Sequence, residues 1–209
     1  MTSRPTQRQR KTKDPCTVCF LHKDRCICHA IPLLDLQTRV CLVIHAKELK
    51  RTTNTGRLAL QALKNSEMHV RGEGKEKLDL SEILDPVYQP LLLYPSDDAV
   101  ELDADFVASL KKPVLLIVPD GNWRQASKVH HRHQELAQVQ RVFLKKKIRD
   151  EKTIASQKSL RLESTADGMA TLEAIAHALR WLEGEEAGVS LQQLYEQKLT
   201  QTLLGRGTL

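Results

Sequence analysis

Aromatic residues are scarce: two Trp, three Tyr and three Phe among 209 residues. A tryptophan in a polar segment therefore has two readings, a packing anchor or an exposed stacking surface. Long apolar runs are missing too. None approaches the roughly 20 residues that a membrane helix needs, which excludes a helical membrane span. The N-terminal MTSRPTQRQRKTKDP is basic but holds no apolar core segment, so it does not read as a secretory signal, and a cytoplasmic protein is expected. Internal repeats and low-complexity segments are also missing.

What is present is a chain long enough for one domain with a small appendage, and 41% of its residues are hydrophobic. The net charge is +6, and its distribution matters more than its sum. Residues 1–25 carry seven Lys/Arg against two Asp, and residues 120–152 carry nine against four acids. Two basic zones fit a polyanion, with a nucleic acid the natural partner; a solvated basic surface is the plain alternative.

Four of the five cysteines fall within thirteen residues, as Cys16-x2-Cys19-x6-Cys26-x-Cys28. Without a signal peptide, such clustering favours a metal over disulfides. Four thiolates complete a tetrahedral zinc shell and leave no position open for chemistry, so the expected site is structural. An iron–sulfur cluster is the competing reading. Cys41, in RVCLVIH, reads as a small apolar strand residue.

Composition divides the chain into a flexible basic arm (1–14), a cysteine module expected to bind zinc (15–30) and a larger remaining domain (31–209). Apolar runs at 39–45, PLLLYP and PVLLIVP read as strands. Their lack of alternation implies a sheet covered on both faces. NTGRLALQALKNSE reads as a helix opening near Asn54 or Thr55, and RGEGKEK as a turn. DADFVASL, Arg124–His133, Thr171–Gly184 and SLQQLYEQKLTQTLL read as further helices. Strands alternating with helices indicate an α/β domain with a largely parallel sheet. The strand 114–118 is expected to break at Pro119. Beyond it stand Asp120, Gly121, Asn122 and Trp123, an acid, a flexible residue, an amide and an aromatic at a strand end, which read either as a turn or as an active-site loop.

CTVCFLHKDRCICHAIP, HAKELKRTTNTGRLA, LLYPSDDA, VPDGNWRQASKV, IRDE and TLEAIAHAL occur in that order. Together they resemble the DTW-domain family, which is similar to the SPOUT-like RNA-modifying enzymes. The resemblance covers about Cys16 to Leu182. It implies a SPOUT-like parallel sheet with a C-terminal trefoil knot, flanked by helices. It also implies a tRNA-uridine aminocarboxypropyltransferase of the bacterial type. Such an enzyme moves the 3-amino-3-carboxypropyl group of S-adenosylmethionine to N3 of a tRNA uridine, giving acp3U at position 47 and releasing 5′-methylthioadenosine. One residue departs from the family's Asp-x-Thr-Trp pattern: Asn122 stands where threonine is expected.

On this resemblance Asp120 is the candidate base or orienting group and Trp123 the stacking residue. The donor is expected near Thr55 and Gly56, and near Ser164, Thr165, Thr171 and Glu173. Capping of the helix starts explains those polar clusters almost as well. Arg124, Lys128, Arg132, Lys145, Lys146, Lys147 and Arg149 are expected to meet tRNA phosphate, with Arg149 alternatively at the donor carboxylate. A SPOUT-type methyltransferase and a non-enzymatic zinc-containing RNA binder are the rival readings. Nothing in the sequence sets the oligomeric state.

Overall fold

The computed structural model describes residues 14–72, 78–145 and 168–208. Among the described residues six strands form one sheet in the order β2-β1-β5-β3-β6-β4, with every neighbouring pair parallel. They are β1 (Arg39–His45), β2 (Ser66–Arg71), β3 (Gln89–Leu93), β4 (Val100–Glu101), β5 (Val114–Asp120) and β6 (Gln140–Phe143). Among the described residues the α-helices are α1 (Gly56–Ala62), α2 (Ala104–Ser109), α3 (Trp123–Arg132), α4 (Thr171–Leu182) and α5 (Glu185–Arg206).

The continuous apolar runs of β1 and β5 serve both faces of this sheet. Val40, Leu42, Ile44, Leu116 and Val118 point to one core, which α1, α4 and α5 complete through Leu58, Leu172, Ile175 and Leu194. Cys41, Val43, Leu115 and Ile117 point to a second core, closed by Val129 of α3 with Leu80, Ile83 and Leu136 from short turns. Burial on both faces is what removes the polar half of the alternation.

Three sequence expectations need correction. β5 does not break at Pro119 but runs through it to Asp120, and Ile44 pairs with Asp120. Pro119 is tolerated because the ladder with β3 has already ended at Ile117. The segment NTGRLALQALKNSE is helical only from Gly56 to Ala62, and its tail enters β2, an edge strand that no apolar run marks in the sequence. The last helix begins at Glu185, with Glu185 and Glu186 in its first turn, where negative charge is favoured.

The cysteine module packs onto the domain. Cys19, Leu21 and Ile27 belong to the same core as Leu191, Leu199 and Leu203 of α5. Lys198 of α5 is 1% exposed and donates through Nζ to the carbonyl of Cys19. Burial lowers its ammonium to about 8, although the nearby cysteines act the other way.

Candidate active site

Parallel α/β sheets bind ligands outside the C-terminal ends of their strands, in the crevice where the strand order reverses. β1 leads outward to β2 on one side, and β3 lies on the other; β5 stands between β1 and β3. Asp120 is the last residue of β5 and is 5% exposed.

Two distant segments hold its carboxylate. Asn54 Nδ2 donates to Asp120 Oδ2 at 2.5 Å, and Thr171 Oγ1 donates to Asp120 Oδ1 at 2.5 Å. Asn54 has its amide orientation set from the other side, because its Oδ1 accepts the backbone N–H of Arg57 at 3.1 Å. Thr55 Oγ1 accepts the backbone N–H of Leu172 at 3.2 Å, which ties the start of α1 to the start of α4. Gly56 makes this approach possible. A Cβ there would lie 3.1 Å from each of Asp120 Oδ2, Leu42 Cδ1 and Thr171 Cγ2. Glu173 is buried and accepts the N–H of Ala170 at 3.2 Å, capping α4.

The residues after Asp120 start α3. A Cβ on Gly121 would fall 2.7 Å from Gln125 Oε1 and 2.8 Å from Gln125 Cβ, so only glycine fits under that side chain. Asn122 is the N-cap. Its Oδ1 accepts from Gln125 N at 3.0 Å, while Gln125 Oε1 accepts from Asn122 N at 2.8 Å, a reciprocal capping box. Asparagine and threonine are both favoured N-caps, so Asn122 keeps this structural role at the position where threonine was expected.

Trp123 is 39% exposed and meets Tyr94 edge to face, with centroids 6.0 Å apart. Tyr94 in turn stacks on His130 at 4.9 Å, and His130 contacts His131 at 4.3 Å. Arg141 Nε donates to His130 Nδ1 at 3.3 Å. Burial first, then His131 and Arg141, holds His130 below the usual histidine range. Tyr94, His130 and Arg141 are not legible as site residues in the sequence, because they come from three separate segments: the end of β3, α3 and β6.

Arg124, Lys128 and Arg132 recur every four residues and so lie along one side of α3. Arg71, at the end of β2, joins them by donating Nη1 to the carbonyl of Gln125 at 3.4 Å. Burial, then Arg71, Lys47 and Lys128, lowers His45, as expected in a cationic surrounding. Lys145 is exposed and pairs with Glu101 at 3.3 Å. Lys146, Lys147, Arg149, Ser164 and Thr165 lie outside the described residues.

The four clustered cysteines have their sulfurs mutually within 4.8 Å, close enough to hold a metal ion. Cys16–Cys28, Cys16–Cys26 and Cys19–Cys26 stand at 3.5, 3.7 and 3.8 Å. Thiolates about 2.3 Å from a tetrahedral zinc would be about 3.8 Å apart, so the set fits. The backbone N–H groups of Cys19 and Val18 lower the Cys16 thiol to about 6, while burial raises Cys19 and Cys28. A second group, Cys41, Glu67 and His69, shares one face of β1 and β2. There Arg39 already pairs with Glu67 at 2.9 Å, and burial pushes the Cys41 thiol up to about 12.

Comparison with known proteins places these features in a family. The model of the DTW domain matches residues 13–203. The chain is 26% identical over 178 residues to tRNA-uridine aminocarboxypropyltransferase 2 of Macaca fascicularis, covering 83% of this chain and 58% of that protein. It is 27% identical over 173 residues to the Mus musculus protein of the same name, covering 80% and 56%. The chain thus spans a little over half the length of these curated relatives. No solved structure matches it significantly.

Proposed function

The chain belongs to the DTW-domain family, and from that premise we propose that it is a tRNA-uridine aminocarboxypropyltransferase. In this reading S-adenosylmethionine donates its 3-amino-3-carboxypropyl group to N3 of a tRNA uridine, giving acp3U at position 47. The sulfonium C–S bond breaks, an N3–C bond forms, and the N3 proton passes to a base, for which Asp120 is the candidate. The leaving group, 5′-methylthioadenosine, is a neutral thioether. Because the sulfonium is already activated, the protein's work is to align the donor carbon with N3 and to accept hydrogen bonds. Alignment of two reactants alone can supply several kcal/mol.

One observation carries the proposal: the buried carboxylate of Asp120, fixed by Asn54 and Thr171 at the C-terminal edge of the central strand. Three of the motifs that the resemblance singles out meet there. Asp120 serves as the fixed acceptor for the uracil N3–H or for the donor's amino group. Trp123, exposed three residues later, offers a face for the uracil. Thr55, Gly56, Thr171 and Glu173, with Ser164 and Thr165, form the donor side. Arg124, Lys128, Arg132 and Lys145, with Lys146, Lys147 and Arg149, meet the tRNA backbone.

Cys16, Cys19, Cys26 and Cys28 would hold a zinc ion in a closed shell whose contribution is structural. A knotted SPOUT-like threading, the division at residues 14 and 30, and a cytoplasmic location belong to the same proposal. The all-parallel sheet supports the α/β part of the first of these. Among the described residues no helix is long and apolar enough to cross a membrane.

The test incubates the protein with unmodified tRNA and S-adenosylmethionine and identifies nucleosides and spent donor by mass spectrometry. acp3U with 5′-methylthioadenosine is expected. A methylated base with S-adenosylhomocysteine would instead assign a SPOUT-type methyltransferase. tRNA binding without any product would assign an inert binder.

A further inference from the structure

Phe20 lies between two core residues of the cysteine module and has φ +59°, a left-handed backbone that aromatic side chains rarely adopt. The turn is locked on both sides: Phe20 N donates to Cys16 O at 2.9 Å and Cys16 N donates to Leu21 O at 2.8 Å. Glycine would fit this backbone without cost. What the phenyl ring gains is a contact outside the module, since the Arg57 guanidinium sits over it at 4.3 Å from the ring centroid.

Arg57 is tied to the active site in two ways. Its Nη1 donates to the carbonyl of Leu49 at 2.5 Å, and its backbone N–H donates to Asn54 Oδ1 at 3.1 Å. Both bonds close the loop between residues 49 and 57, and Asn54 stands inside that loop with its amide turned onto Asp120 Oδ2. A continuous set of contacts therefore runs from the cysteine knuckle to the carboxylate: Phe20, Arg57, Asn54, Asp120.

We propose that Phe20 and Arg57 are positioning residues through which the cysteine module sets the orientation of Asn54 and Asp120. The module would then do more than fold the N-terminal segment: it braces the loop that aims the acceptor at the reacting uridine. The inference about turnover rests on the function proposed above. The inference about Asn54 rests on geometry alone.

Phe20→Gly separates the two roles, because it removes the ring and also removes the backbone strain. In the whole 209-residue chain we expect metal content and thermal stability to stay at wild-type level. We expect kcat for acp3U formation to fall about tenfold with KM for tRNA unchanged, and the side-chain amide signals of Asn54 to shift in ¹H–¹⁵N spectra. Phe20→Tyr, which keeps the ring, should restore both readouts. Arg57→Gln leaves the cysteine knuckle untouched and should reproduce the Phe20→Gly effects, so it decides the matter if Phe20→Gly loses metal or unfolds. Wild-type kcat and unmoved Asn54 signals in a folded Phe20→Gly or in Arg57→Gln would overturn the proposal. If the wild-type protein forms no acp3U, the functional reading fails, while the Asn54 signals still judge the brace.

Discussion

Thr171 Oγ1 donates to Asp120 Oδ1 across 51 positions of sequence. That bond joins the first residue of α4 to the last residue of β5, and it makes the start of a helix part of the acceptor's mounting. Thr171→Val keeps the shape and removes the donor. Leaving a buried acceptor short of a partner costs about 1–3 kcal/mol, so the unfolding midpoint should fall, and turnover with it. Thr171→Ser retains the hydroxyl and should recover most of both. Equal stability and turnover in the valine variant would reduce Thr171 to a helix-start residue.

Asp120→Asn keeps the volume but presents an amide nitrogen to one of two donors. Asp120→Ala removes the acceptor entirely. We expect either change to cut transfer by at least about 100-fold, the lower end of what a positioned proton acceptor contributes, while circular dichroism retains the α/β signal. Near-normal turnover would leave Asp120 as a strand-terminating turn residue.

Asn122 raises a separate question, because threonine was expected there. The capping box with Gln125 supplies a physical reason why asparagine serves. Asn122→Thr should therefore leave stability and turnover within about twofold. Asn122→Ala should cost about 1 kcal/mol of stability through loss of the cap, read as a lowered denaturation midpoint. A large loss of activity in the threonine variant would instead mean that the amide itself touches substrate.

Much of this architecture was legible in the sequence because burial writes itself into apolar runs. β1 and β5 are buried on both faces, and their runs Val40–Ile44 and Val114–Val118 read as strands. β2 was not, for an equally physical reason. It is an edge strand in which Glu67, His69 and Arg71 share one face and are held by ion pairs and a backbone contact, while the other face keeps only exposed Met68 and partly buried Val70 as apolar residues. The three segments at the site were each visible as polar clusters at element ends. Which atoms meet was not visible: Asn54, not Thr55, reaches Asp120, and Thr55 instead accepts from Leu172. Side-chain pairing over such separations depends on the tertiary packing of α1 against α4. The pairings of Tyr94 with His130 and of Phe20 with Arg57 depend on the same kind of packing, and no local pattern carries them.

Metal removal should be felt far from the cysteines. Cys19, Leu21 and Ile27 share the core with α5, and Lys198 caps the Cys19 carbonyl from that helix. A structural zinc contributes its binding free energy to folding. Chelation is therefore expected to lower the melting temperature and to increase amide exchange along Leu191–Leu203, with zinc restoring both. Elemental analysis without zinc, or with iron and labile sulfide, would overturn the assignment of the ion.

The cationic side of α3 makes the last prediction, and salt separates it from the aromatic one. If Lys128 and Arg132 each neutralise a phosphate, the double change Lys128→Gln with Arg132→Gln removes two released counterions. The slope of log K against log salt should then flatten by about 1.4–1.8, at roughly 0.7–0.9 per contact. Trp123→Ala should behave differently. The ring is exposed and meets Tyr94 only edge to face, so folding should persist. Loss of one stacked base costs ~1–3 kcal/mol, which lowers kcat/KM by roughly 5- to 160-fold at every salt concentration and leaves the slope as it was. If instead the tryptophan variant changes the slope, or the double variant leaves it unchanged, the division of labour between a stacking Trp123 and a phosphate-binding α3 is wrong. The basic stripe would then be a solvated surface, and the tRNA backbone would have to be met elsewhere on the molecule.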